Sequence, residues 1–222
     1  MFEIDGYKFK NDKEILLQVD KLTLAKTGLI SICGEIGCGK STLLKSLINF
    51  TEYEGTILYN DINIKQMSIN DKISYIPQNL EYYFLTNTLR EEVILATGVE
   101  IDFYEDLVKK FNISHLIDSN IDSISGGEQI RCALFLNELC LVECLILDET
   151  LSMNDHKNLS MLSDEVTKLS KNKLIIEVSH DLTRISKADT ILFICNKKIV
   201  QFDSFKEFKN YKYTSDVWSF NV

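Results

Sequence analysis

The chain has 222 residues, of which 45% are hydrophobic and 26% are charged, and its formal net charge at pH 7 is −9. A chain of this length can form one domain with a sizeable core, or one domain with an inserted subdomain. The acidic charge argues against a nucleic-acid partner, which needs a basic patch. No apolar run approaches the roughly 20 residues that span a bilayer, and the N-terminal residues lack the basic and apolar regions of a signal peptide.

The six cysteines do not form a C-x-x-C pair; they are Cys33, Cys38, Cys132, Cys140, Cys144 and Cys195. The spacing of Cys140 and Cys144 is one helical turn, but no nearby histidine or second cysteine pair completes a metal site. We therefore interpret the cysteines as reduced core thiols of a cytosolic protein.

The first 25 residues alternate loosely between apolar and polar side chains, which predicts strands of a half-buried antiparallel sheet. Two aromatic residues in this stretch, Tyr7 and Phe9, lie about 25 residues before a glycine-rich segment. Either ring could stack on the face of an adenine. The spacing favours Phe9 over Tyr7, and packing within the sheet is the alternative interpretation of both.

The glycine-rich segment fits the phosphate-binding pattern G-x-x-x-x-G-K-[ST] and precedes Thr42; its residues are Gly34, Glu35, Ile36, Gly37, Cys38, Gly39, Lys40 and Ser41. The flanking residues predict a buried strand before it and a helix after it. Glycines let backbone N–H groups surround a phosphate, and the helix adds the positive end of its dipole. Lys40 would reach the β- and γ-phosphates of a nucleoside triphosphate, and the Ser41 hydroxyl would ligate Mg²⁺.

Between residues 55 and 76 the pattern predicts two short strands joined by a turn, and then a third strand that Pro77 ends. Gln78 follows at the mouth of a loop, where its amide could ligate Mg²⁺ or orient a water, although a glutamine at a strand end is ordinarily a surface residue. From Glu81 to about Asn120 apolar residues recur at helical spacing. We interpret this stretch as a helical subdomain inserted between strands of an α/β core.

A second glycine turn precedes a long amphipathic helix; the turn consists of Ser125, Gly126, Gly127 and Glu128. The predicted buried face of the helix comprises Ile130, Ala133, Leu134, Asn137 and Leu141. A serine hydroxyl and two glycine N–H groups at a helix N-terminus can bind an anion, and an ordinary helix cap is the alternative.

An apolar run that begins at Cys144 ends in two carboxylates, Asp148 and Glu149. In phosphate-loop NTPases an aspartate at the end of a buried strand completes the Mg²⁺ shell, and a glutamate after it can accept a proton from the attacking water. A further buried strand, at residues 174–178, leads to His180, whose imidazole could hydrogen-bond a γ-phosphate, although most histidines at strand ends have no such role. Residues 190–202 predict a closing hairpin.

In this order, the motifs resemble the nucleotide-binding domain of ATP-binding-cassette (ABC) proteins over nearly the whole chain. The matching marks are the adenine-stacking Phe9 or Tyr7, the Walker A loop Gly34–Thr42, the Q-loop Gln78, the signature Ile124–Glu128, the Walker B motif and catalytic glutamate Leu145–Glu149, the D-loop Ser152–Asp155 and the switch histidine His180. The resemblance implies an α/β fold, with a P-loop NTPase (RecA-like) core at about 1–78 and 144–222, an antiparallel β subdomain, and an inserted α-helical subdomain at about 79–143.

The resemblance also implies an ATP hydrolase that uses ATP and Mg²⁺. Its catalytic residues would be Lys40, Gln78, Glu149 and His180, its metal ligands Ser41, Gln78 and Asp148, and its nucleotide contacts the Walker A residues together with Phe9, Ser125, Gly126, Gly127, Glu128 and Asp155. The departures from the family pattern are modest: Glu128 replaces the signature glutamine, Ile124 replaces leucine, Thr150 replaces proline, and Met153-Asn154 is unusual in the D-loop.

The family's mechanism implies that two such domains, identical or merely similar, sandwich two Mg-ATP between the Walker A loop of one and residues 125–127 of the other. A separate membrane subunit would be gripped near residues 78–93, which places the protein on the cytoplasmic face of the cell membrane.

The run Thr88-Leu89, followed by Glu91-Glu92-Val93, looks like the ATPases of energy-coupling-factor and cobalt-type importers, which take up vitamins and metal ions. A peptide or drug exporter, a soluble non-transport ABC ATPase and a small P-loop kinase are the alternatives. The aromatic residues Tyr82, Tyr83 and Phe84 either contact the membrane subunit or fill the core of the helical subdomain.

Overall fold

A computed structural model of the chain describes residues 1–11, 14–67, 72–151 and 156–211, and for residues 156–159 it describes the backbone alone. Asp155 and the rest of the predicted D-loop lie outside the described residues.

The described strands form two sheets. A four-stranded sheet has the order β2-β1-β4-β5, and a six-stranded sheet has the order β10-β9-β3-β8-β7-β6. The strands are β1 (Phe2–Asn11), β2 (Glu14–Leu24), β3 (Gly28–Gly34), β4 (Glu54–Tyr59), β5 (Ile62–Asn63), β6 (Ile73–Ile76), β7 (Cys144–Asp148), β8 (Leu174–Val178), β9 (Thr190–Cys195) and β10 (Lys198–Phe202). The antiparallel pairing of β1 with β2 and of β9 with β10 confirms both sequence predictions.

The helices lie after β3, between β6 and β7, and after β7. They are α1 (Lys40–Leu47), α2 (Leu89–Thr97), α3 (Glu105–Lys110), α4 (Gly126–Leu139), α5 (His156–Leu169), α6 (Leu182–Ile185) and α7 (Phe205–Lys209). The α/β fold class is therefore confirmed. The predicted boundaries of the helical subdomain, at about 79 and 143, stay a prediction, although α2, α3 and α4 all lie between them.

Strands β6, β7, β8 and β3 are parallel and are consecutive neighbours in the larger sheet. Every residue of β7 and β8 is buried, so both faces of these strands are covered, as is usual in a parallel sheet. Ile146 packs with α1 and the antiparallel sheet, whereas Leu145 and Leu147 pack with the helices between β6 and β7. In register, Asp148 lies opposite Val178, and so the carboxyl ends of these strands meet at one edge.

The C-terminus of α4 differs from the sequence prediction. The predicted buried face extended to Leu141, but the helix ends at Leu139, and Leu141 is 82% exposed with φ 53°. The N–H of Leu141 donates to the Glu138 carbonyl and that of Val142 to the Asn137 carbonyl, which is the Schellman arrangement that closes helices. Val142 is buried in place of Leu141, and Cys140 is exposed, unlike the core thiol that the sequence predicted.

A buried ion pair links β8 to the helices around it. Glu177 on β8 is 2% exposed and Arg184 on α6 is 5% exposed, and their side chains are bonded to each other. The guanidinium also donates to the carbonyl and hydroxyl oxygens of Ser163 on α5. Burial raises the pKa of Glu177, and the Arg184 charge opposes that rise. Three elements are thus joined by one arginine.

We predict that Glu177→Leu lowers the free energy of unfolding by about 3–5 kcal/mol, because it leaves the Arg184 charge buried without its carboxylate. The double change Glu177→Leu with Arg184→Met removes both charges and is expected to recover most of that loss. Urea unfolding of the two variants and of the native chain measures the difference. Equal losses in the single and double variants would contradict an origin in the unpaired charge.

A second prediction concerns the end of β3. A Cβ at Gly34, where φ is 148°, would lie 2.4 Å from the Ile194 carbonyl oxygen on β9, whereas a Cβ at Gly37, where φ is 79°, would meet nothing within 4 Å. Gly37→Ala therefore adds backbone strain of about 1–2 kcal/mol, and Gly34→Ala adds a clash with the neighbouring strand as well. We expect Gly34→Ala to lose more unfolding free energy than Gly37→Ala. Similar losses in the two variants would show that β9 moves away from the added Cβ at little cost.

Candidate functional site

The predicted phosphate loop connects β3 to α1, as the strand–loop–helix interpretation required. Gly39 caps α1 in the left-handed conformation with φ 102°, so the helix begins at Lys40 with its N–H groups towards the loop. The Lys40 ammonium is 5% exposed and donates to the carbonyl oxygens of Gly34 (3.0 Å) and Glu35 (2.8 Å). The side chain of Ile36 is 95% exposed, so this residue can contribute only backbone to the loop.

Ser41 and Asp148 meet at the same edge of the sheet. The Ser41 hydroxyl donates to Asp148 Oδ1 at 2.8 Å, although the two residues are 107 positions apart. The carboxylate is 6% exposed. A hydroxyl and a carboxylate oxygen side by side are the hard oxygen donors that Mg²⁺ prefers, so these residues fit the predicted metal site.

A third residue of this cluster, Tyr75 on β6, was not predicted from the sequence. Its hydroxyl donates to Asp148 Oδ2 at 2.7 Å. Burial and the neighbouring Asp148 raise the pKa of the phenol, so it remains a donor at neutral pH. The period of β6 indicates which face Tyr75 occupies, but only the pairing of β6 with β7 places it beside Asp148.

Glu149 lies where three predicted residues come together. Its backbone is left-handed, with φ 53°. Gln78 Nε2 donates to Glu149 Oε2 at 3.4 Å, and His180 Nε2 lies 3.3 Å from Oε1. Gln78 follows β6, Glu149 follows β7 and His180 follows β8. Thr150, in the place of the family's proline, is 1% exposed and donates its hydroxyl to the Ile76 carbonyl, which ties the segment after Glu149 to β6.

The signature turn caps α4. Ser125 and Glu128 form a capping box, in which the Ser125 backbone N–H donates to Glu128 Oε2 at 2.9 Å. The Ser125 hydroxyl donates to the same carboxylate oxygen at 2.7 Å. These two bonds are the leading cause of the lowered pKa of Glu128. Among the described residues, no hydrogen bond or ion pair joins this turn to residues 34–41 of the same chain. The helix-cap interpretation therefore holds locally, and the anion-site interpretation stays a prediction.

The two candidates for adenine stacking differ in burial. Tyr7 is 0% exposed, its hydroxyl bonds to Ser46 Oγ at 2.9 Å, and its ring packs on Tyr53. A ring enclosed in this way has no face available to a ligand, which removes Tyr7. Phe9 is half-buried against the same core and stays the prediction.

Residues 78–93 border a cavity of about 400 Å³ between the edge strand β6 and helices α2 and α4. Tyr82 and Leu85 are 81% and 80% exposed, whereas Tyr83 accepts a hydrogen bond from Asn137 and packs edge-on against Phe84. The aromatic run is thus divided between surface and core.

The run from Thr88 to Val93 also has a local structural role. Thr88 and Glu91 form the capping box of α2, and the Glu92 carboxylate, 7% exposed, accepts the N–H groups of Leu85 and Thr86. These contacts fix the loop that carries Leu85. Over the described ranges, no helix combines the length and the apolarity that crossing a membrane requires.

Comparisons with known proteins agree with this geometry. The family model described as ABC transporter matches residues 17–152, which include the Walker A loop, Gln78, the signature and the Walker B motif with Glu149. The lactococcin transport/processing ATP-binding protein LcnC-like of Lactococcus lactis is 27% identical over 72% of this chain and 24% of its own length. The energy-coupling factor transporter ATP-binding protein EcfA of onion yellows phytoplasma is 28% identical over 70% of this chain and 61% of its own length. The chain thus spans between about a quarter and six-tenths of these relatives.

A solved structure shares the fold. This is cbiO1 of Clostridium perfringens, part of the ABC transporter complex cbiONQ, with a TM-score of 0.82 at 18% identity over 97% of this chain and 93% of that one. An identity this low supports the fold alone. The family match, however, covers more than half of the chain, and it includes Ser41, Gln78, Asp148 and Glu149, which the fold gathers at one edge of a parallel sheet. The chain therefore belongs to the ABC transporter family.

Proposed function

We propose that this chain binds and hydrolyses ATP as the ATPase subunit of an ABC transporter. The observation that carries the proposal is the meeting of Ser41 with Asp148 at the start of α1, next to the cluster of Gln78, Glu149 and His180. A phosphate loop, a metal-ligand pair and a carboxylate able to act on water are the parts that phosphoryl transfer to water requires.

Each residue has a distinct part in this reaction. Lys40 and the loop N–H groups bind the β- and γ-phosphates, and Ser41, Asp148 and the Gln78 amide would hold Mg²⁺. When bound, Mg²⁺ supplies positive charge that stabilises the transferring phosphoryl group. Glu149 orients the attacking water and accepts its proton. Gln78 and His180, both in contact with Glu149, hold its carboxylate in place, and Phe9 stacks on the adenine.

The complete site requires a second, similar chain. Ser125, Gly126 and Gly127 lie at the N-terminus of the 14-residue helix α4, where backbone N–H groups attract anions. In our proposal their N–H groups and the Ser125 hydroxyl donate to the γ-phosphate held by the partner copy, and Glu128 and the D-loop Asp155 lie beside the same nucleotide. ATP binding then closes the pair and hydrolysis reopens it.

The transport partner is a membrane subunit that docks on residues 78–93, on the cytoplasmic face of the membrane. The exposed Leu85, which lines the 400 Å³ cavity, and the exposed Tyr82 nearby in the chain support this surface, because large exposed apolar side chains are typical of interfaces. The run from Thr88 to Val93 and the similarity to EcfA support uptake of a vitamin or metal ion.

We predict that Glu149→Gln abolishes steady-state ATP hydrolysis and leaves ATP binding intact, because it removes the proton acceptor and keeps the phosphate contacts. With ATP the variant should accumulate as a dimer in size-exclusion chromatography. Glu105→Gln, an exposed change on α3, is the matched control and should hydrolyse ATP at the native rate. Native-like hydrolysis by Glu149→Gln would overturn the role of this glutamate.

We also predict that the tagged chain, extracted gently from its native membrane, co-purifies with a membrane subunit that mass spectrometry identifies. A small membrane subunit with a second similar ATPase supports the energy-coupling-factor class and a heterodimer. A large multi-span permease leaves the transporter role but rules out that class. The double change Tyr82→Ser with Leu85→Ser should reduce recovery of the membrane subunit without affecting ATP binding. Recovery of the native chain from the aqueous fraction alone contradicts the transporter role.

A further inference from the structure

Tyr75 occupies an unusual place between an edge strand and the metal-ligand pair. Strand β6 is the last strand of the larger sheet and pairs with β7 through the register Tyr75↔Ile146. The ring is half-buried against the core that includes α1. From there its hydroxyl reaches past Ile146 to Oδ2 of Asp148, the last residue of β7. The bond therefore joins β6 to the carboxylate at the end of the neighbouring strand β7.

The two oxygens of Asp148 have different donors. Oδ1 accepts from Ser41 at 2.8 Å, and Oδ2 accepts from Tyr75 at 2.7 Å. The terminal torsion of an aspartate is intrinsically broad, so the carboxylate can rotate unless its oxygens are held separately. Since Asp148 is 6% exposed, few water molecules can replace a missing donor. Tyr75 and Ser41 together set the rotation of this carboxylate.

We propose that Tyr75 is a positioning residue for the metal site: it binds Oδ2 of Asp148 and so directs Oδ1 to Ser41 and Mg²⁺. The proposal rests on the proposed function, because it assumes that Asp148 ligates the metal of Mg-ATP. Groups that orient a metal ligand through a hydrogen bond commonly change metal affinity about 10–100-fold when they are removed. Tyr75 acts through Asp148 and does not itself touch the nucleotide.

The test compares Tyr75→Phe, which keeps the ring and removes the hydroxyl, with the native chain. Mn²⁺ is titrated into each chain in the presence of adenylyl imidodiphosphate, an ATP analogue that resists hydrolysis. Electron paramagnetic resonance measures the Mn²⁺ that stays free. We expect Tyr75→Phe to bind Mn²⁺ about tenfold more weakly, while affinity for the analogue in EDTA stays native. Tyr59→Phe removes another hydroxyl, one bonded to Glu143 at the opposite end of β7 from Asp148, and should leave both affinities unchanged.

A double-mutant cycle separates positioning from a general loss of structure. In the Asp148→Asn background, Tyr75→Phe should cause no further loss of Mn²⁺ affinity, because the carboxylate that it orients is gone. Native Mn²⁺ affinity in Tyr75→Phe, or equal further losses in the two backgrounds, would overturn the inference. If the native chain with the analogue binds no Mn²⁺, the proposed function fails, and the inference fails with it.

Discussion

The site depends on the parallel pairing of β6, β7, β8 and β3. Because these strands run in the same direction and end nearly level, residues far apart in the chain meet at one edge. A shift of one residue in the register of β7 would move Asp148 to the opposite face and Glu149 into its place. The packing of β7 and β8 stabilises this register, since both faces of these strands pack against helices or against the second sheet. The hydrophobic core thus determines the geometry of the polar edge.

The polar groups at this edge divide into two sets with different neighbours. The Lys40 ammonium bonds to backbone carbonyl oxygens, whereas the carboxylates of Asp148 and Glu149 contact polar side chains that hold them in place. The left-handed backbone of Glu149 turns the chain immediately after β7, so that Asp148 and Glu149 face different partners although they are adjacent. In the proposed function, metal binding and proton transfer therefore belong to two adjacent residues, Asp148 and Glu149.

Local patterns were enough to predict most of the fold and the placement of most site residues. Apolar runs and glycine turns mark β3, α1, β7 and the start of α4, and the sequence order of these motifs predicted their neighbourhood. The predicted end of α4 was wrong because Leu141 takes a left-handed conformation that glycine or asparagine usually signals. Tyr75 was missed because its contact exists only once β6 pairs with β7. Burial, which alternation alone cannot measure, decided against Tyr7.

Lys40 stabilises the loop through its own contacts, in addition to providing a positive charge. The ammonium crosslinks two carbonyls at the beginning of the loop to the first turn of α1, so it acts as a brace on the curvature of the loop. Replacing Lys40 by alanine removes that brace as well as a phosphate partner. The nucleotide affinity lost in such a variant combines the effect of the missing charge with the effect of a less rigid loop. It therefore overstates the attraction between the lysine and the phosphate. Lys40→Arg keeps the charge and alters the brace, and comparing the two variants separates the contributions.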